Sequence, residues 1–292
     1  MSNVNWDLFK CRCSGISKIL ANKKGNEPLT EIQERKVLEY EEKQKIKPLT
    51  GPQQLELDAL YVKRECSKQL VLSDTCISYL MEVYAWETEG MISVSRESMD
   101  LLQTKKGKMQ EKQAVALLEF VTDLKYKENK DRISNDFLSG EIDIYSGDSI
   151  CAAEVIVDIK NAWDYPIYLR KCSTGIENGQ TEQLQGYGDI TGAKKLVVAN
   201  CLVDAPEEII DEMRWKIAKK FNAVTTESPD FLVEWEKWER SMKFEKIPPN
   251  RRVFTIPVEP FTDNERQKVY DRVKQCREFL WKFDEMHQKR NQ

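Results

Sequence analysis

A mixed α/β core flanked by helices is predicted by three observations. "GEIDIY", "AAEVIVDIK" and "KKLVVANCLV" are short β-rich runs, each bounded by Gly, Asp, Ser or Asn. The segments around them carry apolar residues at helical spacing instead. The order along the chain is helix, strand, strand, helix, strand, then helices, so two hydrophobic periods interleave within 292 residues. That length suits one large domain, or a domain with a helical appendage.

The elements follow in order. Residues 27–70 read as two helices: "EPLTEIQERKVLEY" and "KPLTGPQQLELDAL" both start Pro-Leu-Thr with Gln three residues after the Thr. Thr30 with Gln33, and Thr50 with Gln53, fit capping boxes, in which the hydroxyl accepts an orphan amide and the glutamine reaches back. The pair is expected to form a helical hairpin on the outside of the core. "SDTCISYLMEVYAWE" starts another helix, capped by Ser73 or Asp74. "SRESMDLLQTKKGKMQEKQAVALLEFVTDL" is helical again, with Val115, Leu118 and Val121 in register. "ENGQTEQLQGYGDITGA" is a polar helix ending in glycine, and the tail puts Val269, Val273, Cys276, Leu280 and Phe283 on one face. The expected division is 1–100, an N-terminal helical region, and 101–292, the core with C-terminal helices.

Composition narrows the function. The chain is 40% apolar and 32% charged with net charge −4, so it does not advertise a polyanion partner as a whole. Its basic clusters, Lys105, Lys106 and Lys108, Arg170 and Lys171, Lys194 and Lys195, are also what a solvated face looks like. The 8 cysteines include Cys11 and Cys13 as CxC, with Cys66, Cys76, Cys151, Cys172, Cys201 and Cys276 scattered. Without a CxxC pair, and with His287 the only histidine, a zinc site and a disulfide framework are both disfavoured. A Ser-His-Asp or Cys-His hydrolase has no support, and no GxxxxGK[ST] points to an ATPase. No run of 18 apolar residues and no signal-peptide pattern occur, so no membrane partner and an intracellular, cytoplasmic location are expected.

One strand stands out. The apolar run Val155, Ile156, Val157, Ile159 is interrupted by Asp158 and followed by Lys160, and strand alternation puts Asp158 and Lys160 on one face. Asp143 stands fifteen positions upstream in a second strand-like segment, behind Gly140. Acid-x-lysine triplets also start at Glu34, Glu41, Asp123 and Glu128, but those lie in polar helical or loop stretches. A lysine beside a carboxylate in an apolar strand has two readings: a buried structural ion pair, or a Mg²⁺ site whose ammonium orients a water. Trp235 and Trp238 share a helix face and are expected in the core.

"GEID…VDIK" resembles the core of the PD-(D/E)XK nuclease superfamily. "KKGKMQEKQAV" is similar to the Lys-Gly-x-x-x-Glu helix of its phage lambda exonuclease and YqaJ-like branch, and "EQLQGYGDITGAKKLVVANCLVDAP" to that branch's Gln-rich helix and following strand. "CRCSGISKIL" is similar to its short Ser-containing N-terminal helix. Together these cover about residues 10–20 and 104–215, and four motifs in order are more specific than any one.

The resemblance implies a restriction-endonuclease-like core, a central mixed β-sheet flanked by helices, with the helical hairpin in front of it. It implies that Asp143 and Asp158, with the Ile159 carbonyl, hold Mg²⁺ or in its place Mn²⁺. Lys160 would position the attacking water, Glu111 a metal-bound water or second ion, and Gln183 would steady Lys160 or the scissile phosphate. Arg12 and Ser14 would meet a DNA 5′ end, with Lys106, Gln185 and Tyr187 also facing DNA. The activity implied is 5′-to-3′ digestion of duplex DNA ends by a phage- or prophage-derived enzyme. A single-strand annealing recombinase and a ring-shaped trimer are the partners implied. An endonuclease on the same core, or a catalytically decayed DNA-end or protein-binding module, are the alternatives. Three departures stand out: Asp158 replaces the commoner Glu, Ile142 the usual Pro, and no aromatic precedes "QLQ". The iron–sulfur cluster of some relatives is disfavoured, because Cys172, Cys201 and Cys276 are dispersed.

Overall fold

The computed structural model describes residues 4–23, 27–68, 71–92, 102–223 and 225–290. The expected helical start at 95–101 and the Cys66 side chain lie outside the described residues. The described chain gathers into two compact units. One takes residues up to Phe9, Ser17–Ile92 and the chain from Gln267; the other takes Lys10–Ile16 and the chain down to Arg266.

The first unit is helical. α1 (Ile16–Leu20) leads into it, and α2 (Glu31–Ile46) and α3 (Gly51–Lys68) form the expected hairpin. Thr30 and Gln33 close the capping box at the start of α2: the Gln33 amide donates to the Thr30 hydroxyl, and the Thr30 amide to the Gln33 side chain. The hairpin buries a small core of its own, Val37 and Tyr40 against Leu57 and Leu60, and adds ion pairs Lys36–Glu56 and Arg64–Glu34. α4 (Asp74–Glu89) starts with its Ser73 cap accepting from the Cys76 amide and ends at Gly90 in the left-handed region.

The second unit holds the mixed core. The single helix expected before the strands is two, α5 (Leu102–Met109) and α6 (Glu111–Thr122), because Gln110 leaves helical geometry at ψ 8°. Of the strands, β1 (Cys11–Arg12), β3 (Arg132–Ser134) and β4 (Leu138–Glu141) form a three-stranded sheet in the order β1-β4-β3. The larger sheet runs β2-β5-β6-β7-β8, from β2 (Lys127–Glu128) and β5 (Ile144–Gly147) through β6 (Ala153–Asn161) and β7 (Lys195–Cys201) to β8 (Val253–Val258). Only β6 and β7 run parallel in it, joined by the crossover helices α7 (Tyr165–Thr174) and α8 (Gln180–Thr191). α7 is an element not foreseen, although Asp164, which accepts from the Ile167 amide, and Pro166 in the first turn are ordinary start signals.

The sheet core is Ile144, Val157, Ile159, Ala199, Cys201 and Val203, covered by Ala114 and Leu118 of α6. Beyond β7, α9 (Glu207–Lys220) and α10 (Pro229–Arg240) pack on each other through Ile209, Ile217, Phe231 and Trp235. Trp235 is thus a core residue, while Trp238 packs against that cluster half-buried. α11 (Asp263–Arg290) buries Val269, Val273, Cys276 and Leu280. Among the described residues no cysteine is in a disulfide, and no helix is long and apolar enough to cross a membrane.

Candidate active site

The run "GEIDIY" is not one strand. β4 ends at Glu141 in the smaller sheet and β5 begins at Ile144 in the larger one, so Asp143 sits where the chain changes sheets. Ile144 pairs with Val157 in antiparallel register, which brings Asp143 beside Asp158. The Ile159 amide donates to Asp143 Oδ2 at 3.1 Å and fixes that carboxylate against β6.

Asp158 and Lys160 project from one face of β6, as strand alternation requires. The Lys160 ammonium donates to Asp158 Oδ1 at 3.0 Å. It also lies 2.9 Å from Oδ2, but outside hydrogen-bonding direction, so that buried oxygen has no donor. Asp158 is 1% exposed, a costly place for a carboxylate oxygen that has an ion-pair neighbour but no hydrogen-bond donor. The neighbouring carboxylate feels the crowding. Burial, then the charge of Asp158, pushes the Asp143 pKa up to about 7, while Lys160 and the Ile159 amide pull the other way and Glu111 adds a small upward push. A buried and a half-buried carboxylate against one ammonium leave room for another positive charge.

A hard divalent cation fits that need. Oxygen donors suit Mg²⁺, which keeps several waters and is commonly held by one or two carboxylates. The orphaned Oδ2 of Asp158, Asp143 and the Ile159 carbonyl are the donors available. Glu111 does not join them directly. It opens α6 and is exposed, and among the described residues no three His, Cys, Asp or Glu side chains converge as metal ligands.

α8 supplies the polar wall. Gln183 and Tyr187 are one turn apart, and the Gln183 amide donates to the Tyr187 hydroxyl at 2.8 Å. Tyr187 is buried, and its hydroxyl pKa is raised first by that burial and also by the charges of Asp158 and Asp143. Its ring lies over Gly140, where a Cβ would meet Tyr187 Cε1 at 2.6 Å. The glycine ahead of Asp143 therefore makes space for the ring. Gln183 is held by Tyr187, not by Lys160.

Three residues expected to face DNA lie elsewhere. Tyr187 is a buried support for Gln183. Gln185 lies about 200° around the helix from Gln183 and donates to the Glu259 carbonyl at 3.1 Å. Lys106 is 1% exposed, its ammonium bonded to the carbonyls of Ala162 and Trp163, and burial brings its pKa down to about 8. It looked like one of a row of surface lysines because its neighbours Lys105 and Lys108 are charged too. Arg12 and Ser14 are exposed, at β1 and the turn Cys13–Gly15; this turn lies against α8 at Gly186, where a Cβ would meet Cys13 Sγ at 2.9 Å.

No family model and no curated protein matches the chain. Solved structures do. A phage-related exonuclease from Haemophilus somnus 129PT is 21% identical and superposes with a TM-score of 0.57, covering 95% of this chain and 96% of that one. An alkaline exonuclease from Laribacter hongkongensis is 11% identical at a TM-score of 0.53, covering 98% and 96%, and was also solved in complex with dAMP. Over nearly its whole length, the chain has the fold of these two exonucleases.

Proposed function

We propose that the chain is a Mg²⁺-dependent DNA exonuclease that hydrolyses phosphodiester bonds from duplex ends in the 5′-to-3′ direction, with Mn²⁺ able to replace Mg²⁺. The observation that carries this reading is the pair Asp143 and Asp158 side by side across β5 and β6, with the Lys160 ammonium within 3.0 Å of both Asp158 oxygens. A purely structural ion pair needs one carboxylate; here a second stands beside it, its pKa raised first by burial and then by the charge of Asp158. The fold shared with two exonucleases, and the dAMP bound by the Laribacter protein, support a deoxynucleotide product.

When bound, Mg²⁺ neutralises charge on the phosphate and supports the departing oxygen. Asp143, Asp158 and the Ile159 carbonyl would hold it. Lys160 would donate to the attacking water and aim it at phosphorus; as the water oxygen bonds to phosphorus the P–O ester bond breaks, the proton the water sheds passes to solvent, and the leaving oxygen takes one from solvent. Glu111, exposed at the start of α6, would accept from a water of the occupied site. Gln183, braced by Tyr187, meets a phosphate oxygen. The strand left single by such digestion is a substrate for a single-strand annealing recombinase.

Digestion of linear duplex labelled at one end, with and without a 5′ phosphate, in Mg²⁺ and then in EDTA, tests activity, metal need and direction together. Label release is expected in Mg²⁺ alone. Lys160→Ala and Asp158→Ala should each lower turnover by at least about a hundredfold while the circular dichroism spectrum stays native. Wild-type turnover in either variant refutes the mechanism.

A further inference from the structure

The buried lysine points to a device the mechanism has not used. Lys106, near the end of α5, donates to the Ala162 carbonyl at 3.1 Å and the Trp163 carbonyl at 3.0 Å, the two residues that follow β6. In return Asn161, the last residue of β6, donates from its side chain to the Gly107 carbonyl at 3.2 Å. Each element thus places a side chain on the main chain of the other. The ammonium also lies 5.3 Å from the Phe244 ring and 5.9 Å from the Trp163 ring.

A methionine would fill the same volume without burying a charge, and among the described residues no carboxylate lies within ion-pair distance of this ammonium. Its nearest acids are committed elsewhere: Asp164 caps α7, and Asp204 accepts from the Phe244 amide at 2.6 Å. The lysine is therefore tolerated for its donors. Those donors meet carbonyls that leave the strand just past Asp158 and Lys160. On the other side, the Gln110 amide donates to the Lys106 carbonyl at 3.0 Å, and Glu111 follows at once. Without a fixed α5, the break at Gln110 would let the Glu111 end of α6 drift relative to the strand.

We propose that Lys106 and Asn161 are positioning residues, a reciprocal clamp that fixes the Glu111 end of α6 relative to the strand carrying Asp158 and Lys160. This rests on the metal-dependent nuclease reading. Neither side chain touches DNA in it, so breaking the clamp changes the chemical step and the metal site and leaves substrate binding alone.

Lys106→Met and Asn161→Leu test it, each checked for native circular dichroism. Both should lower kcat about tenfold or more, keep KM for duplex DNA within about twofold, and weaken Mn²⁺ binding measured by electron paramagnetic resonance. The double variant should be little worse than the poorer single one, because either change opens the same clamp. A folded variant with wild-type kcat and Mn²⁺ affinity overturns the proposal. So does the failure of both to fold, which would make the contact architectural. A wild-type protein that neither binds Mn²⁺ nor digests duplex defeats the nuclease reading; wild-type digestion with unimpaired variants defeats only the clamp.

Discussion

Asp143 carries a measurable consequence of its crowding. Its pKa is raised from 3.8 to about 7 by burial and by the charge of Asp158. Between those values the folded chain binds more protons than the unfolded one, so this group's contribution to stability is full below pH 4 and is lost as pH rises through 7. Asp143→Asn should therefore stabilise the metal-free protein at pH 8, by about 0.5–2 kcal/mol in urea unfolding, and much less at pH 5. A variant less stable than wild type at both pH values would contradict the electrostatics. Metal and proton compete for the same carboxylate, so Mg²⁺ affinity is expected to climb from pH 6 to pH 8. Asp158 and Lys160 were legible in the sequence, because a two-residue period inside an apolar run is a strong signal. Lys106 was not: burial of a lysine is a long-range fact, and its neighbours Lys105 and Lys108 make it look like surface.

α8 shows how one element organises the site. Gln183 and Tyr187 share a face, Gln185 serves β8's end, and the Tyr187 ring occupies the space that Gly140 leaves open. Gly140→Ala would drive a Cβ into a buried, rigid ring. We expect a loss of about 1–3 kcal/mol in thermal or urea unfolding, together with reduced turnover as Gln183 loses its brace. Unchanged turnover would separate Gln183 from the chemistry. At the hairpin, Thr30→Ala removes the acceptor for the Gln33 amide and should cost about 1 kcal/mol without touching nuclease activity. The Thr30–Gln33 capping box and the α8 helix were readable from local sequence; of the Thr50–Gln53 box, among the described residues, only the bond from the Thr50 amide to Gln53 is made. β8 was not, since "VFTIPV" sits on an edge with Pro257 in it and shows no clean alternation; nor was the switch of sheets at Asp143, which depends on pairing partners far away in sequence.

The whole molecule is a mixed α/β unit and a helical unit interwoven along the chain. α6, the β4–β5 junction, β6 and α8 of the mixed unit carry the proposed catalytic residues. Local periodicity reveals the elements but not that the chain from Gln267 groups with Ser17–Ile92, because that grouping rests on packing between ends of the sequence. An exonuclease needs an end. Covalently closed circular plasmid should survive Mg²⁺ conditions that consume the same plasmid after linearisation, as gel electrophoresis would show; nicking or linearisation of the circle would move the reading to an endonuclease on this fold.

What has to be true is that a divalent cation completes the charge balance between the buried Asp158, the half-buried Asp143 and one amine. Calorimetric titration of the purified protein with Mg²⁺ at pH 8 addresses this without DNA or turnover. A saturable binding heat that disappears in Asp158→Asn is the predicted result. A silent titration in the wild type, or equal binding in the variant, would contradict it.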